Sequence, residues 1–293
     1  MVWLIILSII LATANNAILH GQSNNSLKKI FLFNFFVSFV WIVILLLLSA
    51  HKLELSKETL FYGMGYGVLQ GMFLFFKMQA MATGPIGITT LLGNCSLILS
   101  TICGVVFWNE SVNLWQILGV VLLAFALIFC TKFARDKRPQ KMWIFYVLGF
   151  FVVAGAVGVY IKAFSLAVPQ KTDSVFIISA VFMTFLYLIL FFIVPRGKNT
   201  KNYLSKKDWI AAIACGIVSC SYNRLNSILT ANISSIIFYP VFNGATILAS
   251  TLCGYLFFKE KLSKRQISGL VLGIIALALI SDCLSRGGVS EPA

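Results

Sequence analysis

Charged side chains are scarce in this sequence. Asp, Glu, Lys and Arg make up 11% of its 293 residues, whereas an ordinary soluble domain carries about 25%. Hydrophobic residues make up 59% and the mean hydropathy is +0.93, which leaves too little polar surface to coat a large soluble core. The composition therefore excludes a single soluble domain and predicts a multi-pass protein of the cell (plasma) membrane, surrounded by the lipid bilayer.

Residues that commonly carry catalysis or hold metals are also few. The two histidines, His20 and His51, lie at the ends of apolar runs. The sequence contains no P-loop, no Gly-x-Ser-x-Gly motif and no set of His, Cys and carboxylate residues at metal-binding spacing. We therefore expect neither an enzyme nor a bound cofactor or metal.

Basic residues outnumber acidic ones, but their positions argue against a nucleic-acid partner. The chain has 23 Lys and Arg against 9 Asp and Glu, a net charge of +14. Most basic residues lie between apolar runs, where such residues set topology and contact anionic lipid. All nine carboxylates lie in loops or near the ends of apolar runs, so no acidic side chain is predicted in mid-membrane.

Apolar runs of roughly the 20 residues that a helix needs to cross a bilayer follow one another along the chain. Short polar stretches separate them. The pattern predicts an all-α membrane protein with ten spans, at residues 2–20, 28–50, 59–82, 86–108, 113–131, 143–166, 173–194, 208–231, 234–258 and 264–284.

The sequence repeats itself at an offset of 150 residues. Residues 100–104, Ser-Thr-Ile-Cys-Gly, return at 250–254 as Ser-Thr-Leu-Cys-Gly. Identical residues continue at the same offset, at Phe107 and Phe257, Glu110 and Glu260, Gln116 and Gln266, and Gly119 and Gly269. Five spans per copy is an odd number, so the second copy enters from the opposite side and the two five-helix repeats are predicted to be inverted.

The repeat and the basic loops predict the organisation of the chain. The expected units are a first repeat at 1–131, a basic linker at 132–142, a second repeat at 143–284 and a polar tail at 285–293. Counting Lys28, Lys29, Lys264 and Arg265, which stand at span edges, with the adjoining loops, 16 basic residues follow spans 1, 5, 7 and 9, and 4 lie on the opposite side. The positive-inside rule then places the basic loops in the cytoplasm and both termini outside.

Three basic residues, Lys77, Lys162 and Arg224, lie within spans. A charge at the centre of a span costs about 2.5–3.5 kcal/mol on insertion scales, so each is a candidate for substrate binding. Lys77 alternatively snorkels to the span end. Arg224 offers a planar fork for carboxylate or phosphate, or pairs with a carbonyl or with a carboxylate near a span end. Lys162 contacts substrate or pairs with Asp173.

Polar and aromatic side chains within the spans are further candidates for the substrate site. They are Asn16, Gln70, Asn94, Tyr160, Tyr222, Asn226, Tyr239 and Asn243. Gln70 shares a helical face with Lys77. Pro85 opens span 4 and Pro240 interrupts span 9, which loosens the backbone to expose donors and carbonyls or produces a kink filled by a neighbouring side chain.

Two carboxylates, Glu110 and Glu260, follow spans 4 and 9 at matching points. One interpretation is an ion pair at the interface or a cap for the next helix. The other is a role in gating or proton exchange.

Glycines four residues apart predict close helix contacts in the membrane. They lie at Gly63, Gly67 and Gly71 in span 3 and at Gly269 and Gly273 in span 10. They serve either packing inside one subunit or, in span 10, a dimer face, so the chain is expected to be a monomer or a homodimer.

Each repeat has a span of small residues that ends in aromatic-x-x-Glu, at 107–110 and 257–260, followed by a span with Gln and then Gly. On these motifs the chain resembles the drug/metabolite transporter superfamily, in its ten-span EamA-like branch, over essentially its whole length. The resemblance implies an alternating-access carrier with a cavity between spans 1, 3, 4, 6, 8 and 9, and with spans 5 and 10 peripheral. Many members are drawn with both termini in the cytoplasm, opposite to the count of basic residues.

Members of that superfamily move amino acids, nucleotide sugars, organic phosphates, vitamins, nucleobases or drugs. The cationic lining and the lack of a mid-membrane carboxylate favour a secondary active or facilitative transporter of a small polar metabolite with a negative group, such as an organic acid, an amino acid or a phosphorylated metabolite. The alternative is an exporter of cationic or aromatic drugs that uses the tyrosines with Glu110 or Glu260. A membrane binding protein without transport is a third possibility.

Overall fold

The computed structural model describes residues 1–20, 27–49, 53–84, 89, 92–110, 112–130, 141–193, 204–258 and 263–285. Within these residues the regular structure is helical, with ten main helices. They are α1 (Val2–His20), α2 (Leu27–Ser49), α3 (Lys57–Thr83), α4 (Leu97–Trp108), α5 (Leu114–Cys130), α6 (Trp143–Ala167), α7 (Thr172–Ile193), α8 (Lys206–Asn232), α9 (Ser235–Phe258) and α10 (Lys264–Ser285). A 3₁₀ turn, Pro169–Lys171, joins α6 to α7.

Each predicted span coincides with one of these helices, in nine of the ten cases to within about two residues at either end. The largest difference is in the fourth span, expected at 86–108, because α4 begins only at Leu97. A short helical stretch at 92–94 and a turn at Cys95 and Ser96 precede it. Six of the helices, α1, α2, α3, α6, α7 and α9, are long and apolar enough by length and composition to cross a membrane. The chain is therefore a multi-pass membrane protein.

The two longest helices, α3 and α8, begin with the same local structure. The hydroxyl oxygen of Ser56 accepts from the backbone N–H of Thr59, and the Thr59 hydroxyl oxygen accepts in return from the N–H of Ser56. Ser205 and Asp208 form the same reciprocal capping box at the start of α8. Such boxes satisfy two N–H groups that a helix start otherwise leaves unpaired. Each of the two helices has 27 residues after its capping Ser.

The helices α5 and α10 share another start signal. The side-chain oxygen of Gln116 accepts from the N–H of Asn113 at 2.9 Å, and that of Gln266 accepts from the N–H of Ser263 at 3.0 Å. The Gln266 amide also donates to the backbone oxygen of Cys130 at the end of α5, at 3.3 Å. The matching Gln residues of the repeat therefore have the same capping role.

Helices of the two halves, α1–α5 and α6–α10, pack against one another in reciprocal pairs. The helix α3 packs on α6 and α7, and α8 packs on α1 and α2. Likewise α1 packs on α9, and α4 packs on α6. The other main contacts between halves join α2 to α7, α4 to α9, α5 to α9, and α5 to α10. Since α5 and α10 pack chiefly on each other, they form a separate pair beside the other eight helices.

The spaced glycines let helices approach closely within the molecule. A Cβ atom added at Gly67 would lie 2.9 Å from Phe182 Cδ1 and 3.2 Å from the backbone oxygen of Ser179, both on α7. One added at Gly269 would lie 2.8 Å from the Cys130 sulphur on α5, and one at Gly273 would meet α9. Of the two alternatives for Gly269 and Gly273, packing inside one subunit is present, and whether the chain is a monomer or a homodimer stays a prediction.

Candidate functional site

Contacts between helix termini define two ends of the bundle. The first is called the Glu110 end, where α2, α4, α6 and α8 finish and α3, α7 and α9 begin. Ser49 contacts Asp173 there, which joins the end of α2 to the start of α7, and Glu110 contacts Ser235, which joins the end of α4 to the start of α9. At the second, called the Lys29 end, the Lys29 ammonium at the start of α2 lies 2.8 Å from the Asp208 carboxylate at the start of α8. The candidate residues divide between these ends and the layer between them.

A buried ion pair joins the two halves at the Glu110 end. The Lys162 ammonium near the end of α6 contacts the Glu110 carboxylate that follows α4, and the two side chains are 6% and 10% exposed. The ammonium also donates to Ser235 Oγ at 3.0 Å and lies 5.2 Å from the centroid of the Trp108 ring. Of the two alternatives for Lys162, a structural ion pair is present, but its partner is Glu110 rather than Asp173.

The Glu110 carboxylate also caps a helix. It accepts from the backbone N–H groups of Ser235 and Ile236, at 2.9 and 3.2 Å, at the start of α9. An anion is stabilised there by the unpaired N–H groups and by the helix dipole. Asn109, in the left-handed conformation with φ 48°, ends α4 just before Glu110. Of the two interpretations of Glu110, ion pairing and capping are present, although the capped helix is α9 rather than α5, which follows Glu110 in the chain.

The second cation, Arg224, has a carboxylate partner. Its Nε and Nη2 donate to the two oxygens of Asp173, each at 2.7 Å, in a bidentate pair. Ser49 at the end of α2 donates to the same carboxylate at 2.5 Å. Of the alternatives for Arg224, the structure shows pairing with a carboxylate near a span end.

We expect loss of the Arg224 side chain to have a modest effect on stability. The Arg224 and Asp173 side chains are 34% and 24% exposed, so water reaches both charges, and partly exposed pairs contribute about 1 kcal/mol or less. Arg224→Met should therefore lower the apparent melting temperature of the purified protein by only a few degrees, at roughly 2–4 °C per kcal/mol. A loss as large as that of removing Lys162 would contradict this ranking.

A hydrogen-bonded polar layer crosses the middle of the bundle. Gln70 of α3 donates to the Tyr66 hydroxyl at 2.7 Å, and that hydroxyl donates to the Asn223 side-chain oxygen of α8 at 3.1 Å. The Asn223 amide donates to the Ser219 carbonyl at 2.8 Å, and Trp41 of α2 donates to the Ser219 hydroxyl at 2.7 Å. This layer ties α3 of one half to α8 of the other.

The sequence analysis identified Gln70 but missed its partners Tyr66 and Asn223. A signal for Tyr66 was present, since it lies one helical turn before Gln70 on the same face. No comparable signal exists for Asn223, whose partner is distant in sequence. Their contact depends on how α3 and α8 are rotated relative to each other.

The first cation, Lys77, differs from the other two because none of the ion pairs among the described residues includes it. It is half-buried, and its ammonium lies 5.6 Å from the centroid of the Phe73 ring. The Cys215 thiol of α8 lies within electrostatic range and donates to the Asn15 side-chain oxygen of α1 at 3.1 Å. An aromatic ring and a thiol therefore lie near this charge, and none of the described carboxylates forms an ion pair with it.

The structure does not bring Lys77 and Arg224 together. Lys77 lies six residues before the end of α3, roughly 9 Å from the Lys29 end at 1.5 Å per residue. Arg224 lies at the opposite end, against Asp173 at the start of α7. The shared cationic site expected from the sequence is therefore divided into two separate positions.

The asparagines lie at several levels of the bundle. Asn226 accepts from the Ser8 hydroxyl at 2.6 Å and is buried. Asn16 is exposed, and its amide donates to Ser250 of α9 at 3.4 Å. Asn94 is half-buried at the end of the short helical stretch that precedes α4. Of these three, Asn16 lies in the half of α1 nearer the Lys29 end.

Proline interrupts α9 as the sequence predicts. Pro240 lies inside the helix, and the Asn243 amide donates to the backbone oxygen of Tyr239 at 3.1 Å. The Tyr239 hydroxyl donates to the backbone oxygen of Gly158 on α6. Tyr239 is therefore hydrogen-bonded to α6 and buried among the helices.

The other two tyrosines lie apart from each other. The Tyr160 hydroxyl donates to the backbone oxygen of Phe61 at 3.4 Å, near the start of α3. That position is roughly 24 Å from Lys77 along the helix, at 1.5 Å per residue. The Tyr222 ring of α8 lies 6.4 Å from the Phe242 ring of α9. Tyr160 therefore lies towards the Glu110 end, far from Lys77.

The last candidate, Glu260, lies outside the described residues. Among those that the structure does describe, no three His, Cys, Asp or Glu side chains are close enough to hold a metal ion.

The arrangement of helices is similar to that of a known protein structure. One crystal structure of a protein superposes on this chain with a TM-score of 0.77, covering 97% of each chain, at 13% sequence identity. At that identity the likeness shows the fold alone. No curated protein matches the sequence.

The model of the EamA-like transporter family matches residues 141–282. This region contains α6 to α9 and nearly all of α10. It includes Lys162, Arg224 and the Pro240 interruption. The second half of the chain therefore matches the EamA-like transporter family, of the drug/metabolite transporter superfamily, and this match indicates a membrane transporter of small molecules.

Proposed function

We propose that this protein carries a small polar metabolite with a negative group across the plasma membrane by alternating access. The observation that carries the proposal is that Lys77 lies within a predicted span and forms no ion pair with a described residue. A charge within a span costs about 2.5–3.5 kcal/mol on insertion scales, yet no ion pair of the described residues offsets this one. A carboxylate or phosphate on the substrate would supply the missing partner.

The described carboxylates near the helix ends favour an anion over a cation as substrate. Glu110, Asp173 and Asp208 each lie against a Lys or Arg. A cationic drug would have to displace a protein cation from one of them. An anion bound at Lys77 displaces no carboxylate of the described residues, so the anionic substrate is the simpler assignment.

Alternating access requires two halves that can exchange roles, and we infer that the ten helices are ten spans in two inverted repeats. Two observations support this inference. The contacts between halves are reciprocal, with α3 on α6 and α7 and α8 on α1 and α2. The starts of α3 and α8, and those of α5 and α10, carry matching caps. A pseudo-two-fold axis in the membrane plane produces both.

The test is a ligand screen on the purified full chain. Organic acids, amino acids, phosphorylated metabolites and organic cations are compared by the rise in melting temperature that each produces. We expect stabilisation by anions, and Lys77→Met should weaken binding at least about tenfold, because hydrogen bonds to charged groups contribute about 1.5–3 kcal/mol. Flux of the same ligand into proteoliposomes distinguishes a transporter from a membrane protein that only binds.

The matched control is Lys57→Met, which removes an exposed ammonium at the start of the same helix. It should leave ligand affinity unchanged. Stabilisation by cations alone, or equal affinity in wild type and Lys77→Met, would refute the anionic site.

A further inference from the structure

The starts of α2 and α8 lie side by side at the Lys29 end and carry four lysines. Lys28 and Lys29 lie in the first turn of α2, and Lys206 and Lys207 lie in the first turn of α8. The Lys29 ammonium lies 2.8 Å from the Asp208 carboxylate, which joins the two starts. The N-terminal end of a helix is itself positive, so the lysines and the helix dipoles together give this surface a strongly positive potential.

The acidic residue of these two first turns, Asp208, is already engaged. It is buried, contacts Lys29, and accepts from both the backbone N–H and the hydroxyl of Ser205 at 2.7 Å. Lys206 and Lys207, in contrast, are exposed. Four lysines against one carboxylate leave an excess of positive charge, which an anion from outside the chain would offset.

Three other helix starts are balanced from within the chain. At the Glu110 end, α7 has Asp173 in its first turn, and Glu110 caps the start of α9. At the Lys29 end, α10 also begins with two basic residues, Lys264 and Arg265. There Arg265 donates to the backbone oxygen of Ile128 near the end of α5, at 3.0 Å, so the negative end of one helix faces the cation. The start of α8 differs from these because its two lysines are exposed.

Aromatic and aliphatic side chains adjoin these lysines. Trp209 is 42% exposed, and its ring centroid lies 4.0 Å from that of Phe36 on α2. Ile210 is 69% exposed, and the Lys28 ammonium lies 4.9 Å from the centroid of the Phe191 ring at the end of α7. Exposed tryptophan at a span end is typical of the level where headgroups meet acyl chains, and lysines there extend their ammonium groups toward the headgroups. A ligand with an anionic head and an apolar body therefore matches this surface.

We propose that the first turns of α2 and α8 bind the headgroup of an anionic phospholipid. Its phosphate lies against the ammonium groups of Lys206 and Lys207, and its acyl chains run along Trp209 and Ile210. Clusters of basic residues beside a membrane-spanning helix recognise anionic headgroups in this way. The exposed apolar side chains that follow the lysines favour a lipid over a free phosphate or an acidic peptide. The site involves neither α3 nor Lys77, so it is independent of the proposed substrate.

The test measures lipid binding to the purified full chain in detergent. Dioleoyl phosphatidylglycerol, which is anionic, and dioleoyl phosphatidylcholine, which is zwitterionic, are titrated separately, and native mass spectrometry gives the affinity for each. We expect phosphatidylglycerol to bind at least about tenfold more tightly, equivalent to about 1.4 kcal/mol. Inorganic phosphate and glycerol 3-phosphate have the same anionic group without acyl chains. Neither should raise the melting temperature at the concentrations at which the lipid does.

Two double variants separate a defined site from general attraction to a basic protein. Lys206→Gln with Lys207→Gln removes the exposed lysines of the site. It should weaken the binding of phosphatidylglycerol at least about tenfold, because each lysine near an anionic headgroup contributes to binding. Lys57→Gln with Lys264→Gln removes the same charge from exposed positions at the starts of α3 and α10. This charge-matched control should bind phosphatidylglycerol as tightly as the wild type.

Fluorescence quenching locates the bound lipid. Phosphatidylglycerol with brominated acyl chains quenches tryptophan on contact, and it is added at a concentration that fills the tight site. The quenching should be smaller in Trp209→Phe than in the wild type. Trp115→Phe, which removes a tryptophan that is 58% exposed at the start of α5, should retain it.

Three results would overturn the lipid site. They are equal affinity for the two lipids, equal weakening in the two double variants, and the same stabilisation by inorganic phosphate or glycerol 3-phosphate as by the lipid. Lys77→Met should bind phosphatidylglycerol as the wild type does. Failure of the anionic substrate site at Lys77 would therefore leave the lipid site unaffected, and the reverse also holds.

Discussion

Lys162→Met is expected to lower the free energy of unfolding by about 3–5 kcal/mol, because removing one partner leaves the other charge buried and unpaired. Glu110 is 10% exposed and would keep only the two N–H groups of α9 as donors. At roughly 2–4 °C per kcal/mol, the apparent melting temperature should fall by roughly 10 °C. Thermal unfolding of the purified protein in detergent, followed by intrinsic fluorescence, measures the change.

A double-mutant cycle identifies the cause. Adding Glu110→Gln to Lys162→Met removes the orphaned charge while an amide oxygen remains to accept from Ser235 or Ile236. The double variant should therefore recover most of the lost stability. Lys171→Met is the matched control, since its pair with Glu54 is 33% and 62% exposed and should contribute little. Equal losses in the single and double variants would show that charge burial is not responsible.

Gly67→Leu should destabilise the protein by about 3 kcal/mol, at the upper end of the usual cost of overpacking. Gly67 faces α7 so closely that even a methyl group would lie 2.9 Å from the Phe182 ring and 3.2 Å from a backbone oxygen of Ser179. The ring can rotate, whereas the carbonyl moves only with its helix. We therefore expect α3 and α7 to separate locally, with a lower melting temperature and a smaller monodisperse fraction in size-exclusion chromatography.

The neighbouring position provides the control for this change. Val68 is 42% exposed on the outer side of α3, so Val68→Leu adds bulk to the same helix without touching α7. It should leave the melting temperature within about 1 °C, as expected for an exposed change of at most about 0.5 kcal/mol. Comparable losses in the two variants would show that packing against α7 does not set the cost, since Leu is the better helix former at both positions.

The positions of the helices could be predicted from the sequence because each is a long apolar run with few charges. The fourth span was the exception. The predicted span ran across residues 93–96, Gly-Asn-Cys-Ser, whereas the backbone forms a turn at Cys95 and Ser96 before α4 begins. Hydropathy averaged over a whole span merges the apolar residues on either side of these four, so it does not report the helix start, although Gly and Asn are a local signal for a break.

The charged residues of the candidate site could be identified from the sequence, whereas the carboxylate that each cation contacts could not. Charges within spans identified Lys77, Lys162 and Arg224, since such charges are costly. Which carboxylate each would contact depends on helix rotation and on which ends meet. Asp173 was considered for Lys162 but pairs with Arg224, and Glu110 reaches across the two halves to Lys162. Capping roles within one turn, such as that of Gln116, depend only on neighbours and follow directly from the local sequence.

The matching caps of α5 and α10 bear on how the chain acquires its orientation. Gln116 closes the start of α5 at the Glu110 end, whereas Gln266 closes the start of α10 at the Lys29 end, beside Cys130. One and the same local signal thus works at opposite faces of the bundle, so it holds no information about which face is cytoplasmic. That information lies in the Lys and Arg of the loops. Relocating a few basic residues should therefore turn the whole molecule over in the membrane while every helix begins at its present residue.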